Sequence, residues 1–110
     1  MIETTFAFSR TDSKCIERIL EDDNAGINHM VLPEGEGLPL HNANSHVYMI
    51  VVRGQVALKL DDQEEHVHPA GSLLAIPYRT RMNVYNRFPE VLELFVVKAP
   101  SPRIMAARES

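Results

Sequence analysis

The feature that most constrains this chain is a cadence. Short apolar segments rich in Val, Ile, Phe and Tyr recur along it, with turn-forming residues between them at intervals of about ten. That rhythm predicts an all-β fold, an antiparallel sandwich or barrel. The clearest strand is Gln55 to Leu60, where alternation gives Val56, Leu58 and Leu60 one face and Gln55, Ala57 and Lys59 the other. Asp61-Asp62 reads as a tight turn into a strand over Gln63 to His68. Pro69-Ala70-Gly71 ends that strand and Leu73 to Ile76 begins another before Pro77. Strands over Met82 to Asn86 and Val91 to Lys98 follow, separated by Arg87-Phe88-Pro89-Glu90.

Upstream, Ile27 to Leu32 reads as a strand that stops at Pro33-Glu34-Gly35-Glu36-Gly37. This loop lacks the glycine pattern that cradles phosphate, so it carries turn chemistry only. Val47 to Val52 is apolar on both faces. One face can line an interior, while outward Tyr48, Ile50 and Val52 need a second sheet or a second subunit. A homodimer is therefore expected. Asp12 to Asp22 stays open. Ile16, Ile19 and Leu20 have helical spacing behind Asp12 or Ser13 as a cap, and a strand with Ile16, Arg18 and Leu20 on one side fits nearly as well. Beyond Pro100, the pair Pro100 and Pro102 predicts neither strand nor helix at the start of the tail, which is read as a loose end or an arm laid across a neighbour.

Length and charge limit the function classes. The chain has 110 residues, enough for one domain over 1–110, with no internal repeat or low-complexity block. A net charge of −4 gives no general attraction to phosphate backbones, so no nucleic-acid partner is expected. The single cysteine, Cys15, excludes a disulfide framework and a Cys-rich zinc site, and reads as an ordinary thiol. Met1 to Arg10 lacks a basic-then-apolar leader, and no apolar run nears the roughly 18 residues of a membrane span. A cytoplasmic protein without membrane contact is the expectation.

Five histidines are the candidates for chemistry: His29, His41, His46, His66 and His68. His66 and His68 are two apart on a strand and point the same way, as two metal ligands would. The commoner reading is a pair on a half-exposed face, and no acid sits at an obvious third-ligand offset, although Glu64 shares their parity. His29 reads as a satisfied core or rim histidine. His41 and His46 flank Asn-Ala-Asn-Ser just before the double-faced strand.

Here the chain resembles a family. Gly35, His41 and Gly54 fall on the frame of the first cupin motif, and Gly71, Pro77 and Asn86 on that of the second. The resemblance covers about residues 27–98, leaving 99–110 as a tail. It implies a small antiparallel β-barrel of the jelly-roll type, commonly paired as a dimer. In metal-binding cupins two His and a Glu of the first motif and a His of the second hold the metal. The matching positions here are His41, Ala43, Val47 and Met82, and Arg79 stands where the second motif has Gly. One imidazole and one thioether fall short of the three or more ligands a catalytic metal needs, so no metal cofactor is expected. Were a metal to bind, His41 and His46 would hold it, and Met82 beside His41 would suit a soft ion such as Cu(I).

What remains is a mostly apolar pocket with His41 as its polar group, Met82 in its wall, and His46, Tyr48 and Asn42 near its mouth. Arg81 and Arg79 are either a positive rim or, more commonly for loop arginines, solvated charge. The function expected is metal-free binding of a small organic molecule, anionic if the arginines face it. The alternatives are a metal-dependent isomerase or dioxygenase with a site reassembled around His41, and metal-free acid/base catalysis by His41. No carboxylate partner for the latter is evident.

Overall fold

Alternating side chains and frequent turns produce nine strands and one short helix in the computed structural model, which describes residues 1–109. The strands are β1 (Cys15–Glu21), β2 (Gly26–Leu32), β3 (His41–Asn42), β4 (Val47–Arg53), β5 (Gln55–Leu60), β6 (His66–Pro69), β7 (Leu73–Ile76), β8 (Arg81–Tyr85) and β9 (Leu92–Lys98). The helix is α1 (Pro102–Arg108). A five-stranded sheet runs β1-β2-β9-β4-β7 and a four-stranded sheet runs β3-β8-β5-β6, with every pairing antiparallel. This is a jelly roll of two facing sheets that do not close into one continuous barrel.

The interior follows from period-two alternation. Along β4, Val47, Met49 and Val51 are buried while Tyr48, Ile50 and Val52 are exposed. Leu92, Leu94 and Val96 of β9 and Met30 and Leu32 of β2 join them from the same sheet, and Val56, Leu58, Met82 and Val84 meet them from the other. Each face is fixed by register, since a slip of one residue would turn all of these outward.

The motif residues that survive in this sequence are the ones that hold turns. Gly54 joins β4 to β5 at φ +73°, and a Cβ there would stand 2.4 Å from the Val91 carbonyl oxygen. Only glycine meets both demands. Asn86 is buried, donates through Nδ2 to the carbonyls of Leu32 (2.8 Å) and Glu90 (2.9 Å), and accepts from the Phe88 amide (2.9 Å). Arg79 also keeps its motif's backbone: it has φ +74° without being glycine.

Two sequence readings resolve differently from one another. The open segment Asp12 to Asp22 contains a strand, with Glu17 opposite His29 and a bulge between Arg18 and Leu20. The tail is a correction. Past Ala99, it forms a helix that buries Met105 against the jelly roll. Pro102 occupies the first turn, where its missing N–H has no intrahelical acceptor to lose, so it starts this helix rather than preventing it. Among the described residues no helix is long and apolar enough to cross a membrane.

Candidate functional site

The open end of the jelly roll is built by β3 and the loop after it, the start of β4, the start of β8 and the end of β9. Inward side chains there close to a cleft of about 30 Å³, walled by Met30, Leu38, Ala43, Val47, Met49, Met82, Val84 and Val96. That is room for about two waters, far below the several hundred Å³ that holds a drug-sized ligand. Its polar wall is His41, Asn44 and Lys98. His41 is exposed, and its Nδ1–H donates to the Pro39 carbonyl at 2.8 Å. In a neutral ring that leaves Nε2 as an acceptor at the mouth.

Lys98 is the residue the sequence reading missed. It ends β9 in the same inward row as Leu92, Leu94 and Val96, and that shared parity was the available signal. It also lines a second pocket of about 130 Å³ with Arg18, Glu21, Gly26, Asn28, Asn44 and Pro102. Partial burial pushes its ammonium below the usual lysine range, and the Arg18 charge pushes the same way against the opposing pull of Glu21. Among the described residues, that ammonium has no hydrogen bond or ion pair.

The other expected site residues scatter. His46 and Tyr48 flank inward Val47, so alternation turns both to the outside of the five-stranded sheet, where they border a separate hollow of about 200 Å³ with Ala75, Ile76 and Pro77. The expectation that they stand with His41 at one mouth is corrected on that ground. Arg81 flanks inward Met82 and likewise faces out, its guanidinium on Asp62 (3.1 Å) and on the Asp61 carbonyl. Arg79 pairs with Glu109 at 2.6 Å and lies 5.0 Å over the Tyr78 ring. Both arginines are solvated surface charge rather than a rim. His66 and His68 do share a face, 6.3 Å apart, with Gln63 beside His66.

The metal implied by the resemblance does not fit this mouth. The side chains around His41 that would complete a ligand set are buried Ala43, Val47 and Met82, and His46 lies across the sheet. Three of the four positions therefore offer no nitrogen or oxygen.

A denser polar cluster occupies the outer face of the same sheet. His29 is fully buried, with Nδ1 2.8 Å from Glu17 Oε2 and Nε2 2.7 Å from Glu93 Oε2. Arg53 binds Glu93 through Nε at 2.9 Å and Asp12 at 2.7 Å. The N-terminal segment lies over it: Ser9 donates to Glu17 through its amide (2.8 Å) and hydroxyl (3.0 Å), and Phe8 packs 4.8 Å from both the His29 and Phe95 rings. His29 is thus a satisfied buried histidine, as its sequence setting suggested.

No family model matches the chain. It is 39% identical over 110 residues to an uncharacterised protein of Methanocaldococcus jannaschii, a match covering 99% of this chain and 95% of that protein. Among solved structures, an RmlC-like cupin family protein with a double-stranded β-helix fold from the same organism superposes with a TM-score of 0.93 at 38% identity, covering 96% of this chain and 98% of that one. An RmlC-like cupin of Desulfovibrio desulfuricans (TM-score 0.73, 21% identity, 92% and 98% covered) and a cupin-like protein of Thermotoga maritima (0.73, 16%, 82% and 71%) share the fold. Two facing sheets, turn residues kept at both motifs and a relative this similar over nearly its whole length lead to one conclusion: the chain belongs to the cupin family.

Proposed function

We propose that this cupin binds a small anion with a compact apolar end at its mouth, without a metal at that site. The observation that carries the reading is Lys98, a half-buried ammonium without a protein partner among the described residues, shared by the apolar cleft and the polar pocket beside it. A carboxylate or phosphate seated there would take a charge-assisted hydrogen bond from Lys98, with Asn28 and Asn44 in the same wall and Arg18 held at 2.9 Å by Glu21. The cleft of about 30 Å³ admits little more than a methyl group past His41, so selectivity rests on the tip of the ligand.

A thermal-shift screen of short-chain carboxylates and inorganic phosphate tests this. A ligand at about 100 times its Kd stabilises by about 2.7 kcal/mol. The shift is expected to vanish in Lys98→Met and to survive in Arg81→Ala. Absence of any anion-dependent shift, or a shift that persists in Lys98→Met, sinks the reading.

The module acts as a homodimer in this proposal, paired through outward Tyr48, Ile50 and Val52. Their exposures of 40%, 38% and 44%, continued by Leu73 on the neighbouring strand, support it, because an apolar stripe of this kind is costly in water. Light scattering should give twice the chain mass at micromolar concentration and the monomer mass for Ile50→Arg. A monomeric parent protein would remove the pairing.

A further inference from the structure

Away from the mouth, the outer face of the five-stranded sheet gathers ligand atoms of three kinds. Cys15 and Glu17 are two apart on β1 and share a side, and the β1–β2 register sets Glu17 directly across from His29. Cys15 Sγ, a Glu17 carboxylate oxygen and a His29 ring nitrogen all lie within 4.8 Å of one another. The far nitrogen of the ring, Nε2, meets Glu93 at 2.7 Å, and Arg53 fixes Glu93 in turn. A carboxylate on the far nitrogen is what orients a metal-binding histidine and raises its basicity.

We propose that Cys15, Glu17 and His29 form a three-ligand site for a zinc-class divalent cation. Thiolate, imidazole and carboxylate together suit Zn²⁺ or Co²⁺, whereas Mg²⁺ and Ca²⁺ require oxygen donors. Ser9 of the N-terminal segment already bonds Glu17 through its amide and hydroxyl, so that segment lies against the cluster. Thiolate and neutral imidazole are the ligating forms, so cation binding releases protons to solvent.

Co²⁺ titration of the full chain, stripped of metal beforehand, tests the site. Cys15 is the only thiol, so a near-ultraviolet sulfur-to-cobalt charge-transfer band reports its ligation directly. The expected result is a band saturating at one Co²⁺ per chain and bleached by Zn²⁺. Glu93→Gln should keep the band while weakening affinity about 10–100-fold, as loss of an orienting carboxylate does. Glu17→Gln should weaken binding at least as much, and the combined replacement of His41, His66 and His68 by Ala should leave it unchanged. The site is overturned by no band in excess Co²⁺, by one Co²⁺ per two chains, by unaltered affinity in either glutamate variant, or by loss of the band in the triple histidine variant. Circular dichroism of each variant separates lost binding from lost fold.

Discussion

Along β2 and β9 the same strands carry two chemistries, one on each face. Turned inward are Met30, Leu32, Leu92, Leu94 and Val96, a wall of carbon and one sulfur. One residue away, turned outward, are His29, Glu93 and Phe95, with Glu17 beside them on β1. In a strand, substitutions at even positions leave odd positions untouched, so one face can lose a ligand set while the other keeps or gains one. The mouth of this cupin is walled largely by core side chains, and its exterior holds the polar cluster. The difference also shows what the fold needs from its motifs: Gly54 and Asn86, which make turns, are kept, while the ligand positions are apolar.

The largest effect should come from breaking the inner face. Leu94→Ala empties a fully buried position, and is expected to cost about 2–5 kcal/mol in urea denaturation. Phe8→Ala, which strips an outer ring from His29 and Phe95, should cost only about 1 kcal/mol. Equal losses would mean that the outer cluster is as much a core as the interior.

Next comes the turn that keeps the two faces in register. Gly54→Ala meets a left-handed backbone, worth about 1–2 kcal/mol alone. The 2.4 Å approach to the Val91 carbonyl adds to it, because backbone must move. A change below about 1 kcal/mol would show that β4 and β5 can separate there without disturbing β9.

Much of this was legible in the sequence, and the reason is alternation. Gln55–Leu60 and Leu73–Ile76 match their strands, and Val47–Val52 was seen to have two apolar faces because both of its rows are apolar. The site was less legible. Residues near His41 in sequence were grouped at one mouth, yet with Val47 inward, His46 and Tyr48 must face out. A lysine at a strand end looks like surface, which hides Lys98 in the sequence although its row is buried. The partners of His29 could not be found at all, since Glu17 and Glu93 are brought to it by pairing across 12 and 64 residues of chain.

Acid should sharpen the contrast between the faces. The Ser9 amide and then His29 hold the Glu17 carboxyl down at about 2, from an ordinary 4.5. At Glu93 burial pushes upward, but hydrogen bonds from His29 and Arg53 outweigh it and the carboxyl is lowered. Carboxyls depressed on folding stabilise above their unfolded range, and that contribution disappears as pH falls from about 4.5 toward 2. The Tm should therefore drop between about pH 5 and pH 2, and drop less steeply in Glu17→Gln. The inner face holds no comparable carboxyl, so Leu94→Ala should lower Tm at every pH without altering the slope.

The smallest effect concerns Arg79, in the loop that turns Met82 inward. It keeps φ +74°, a conformation natural to the glycine its motif prescribes. Replacing it with Gly relieves the left-handed strain but also removes the Glu109 pair, the contact over Tyr78 and some order lost only by the unfolded chain. These terms are of similar size, so Arg79→Gly on its own should change stability little. Arg79→Ala loses the same two side-chain contacts and keeps the strain. The difference between the two variants isolates the backbone, and Gly should exceed Ala by about 1 kcal/mol. At an ordinary loop residue the order reverses, since glycine loses more freedom on folding. If Ala proves the more stable, the loop does not require a left-handed residue, and the backbone that aims Met82 into the core is held by its neighbours instead.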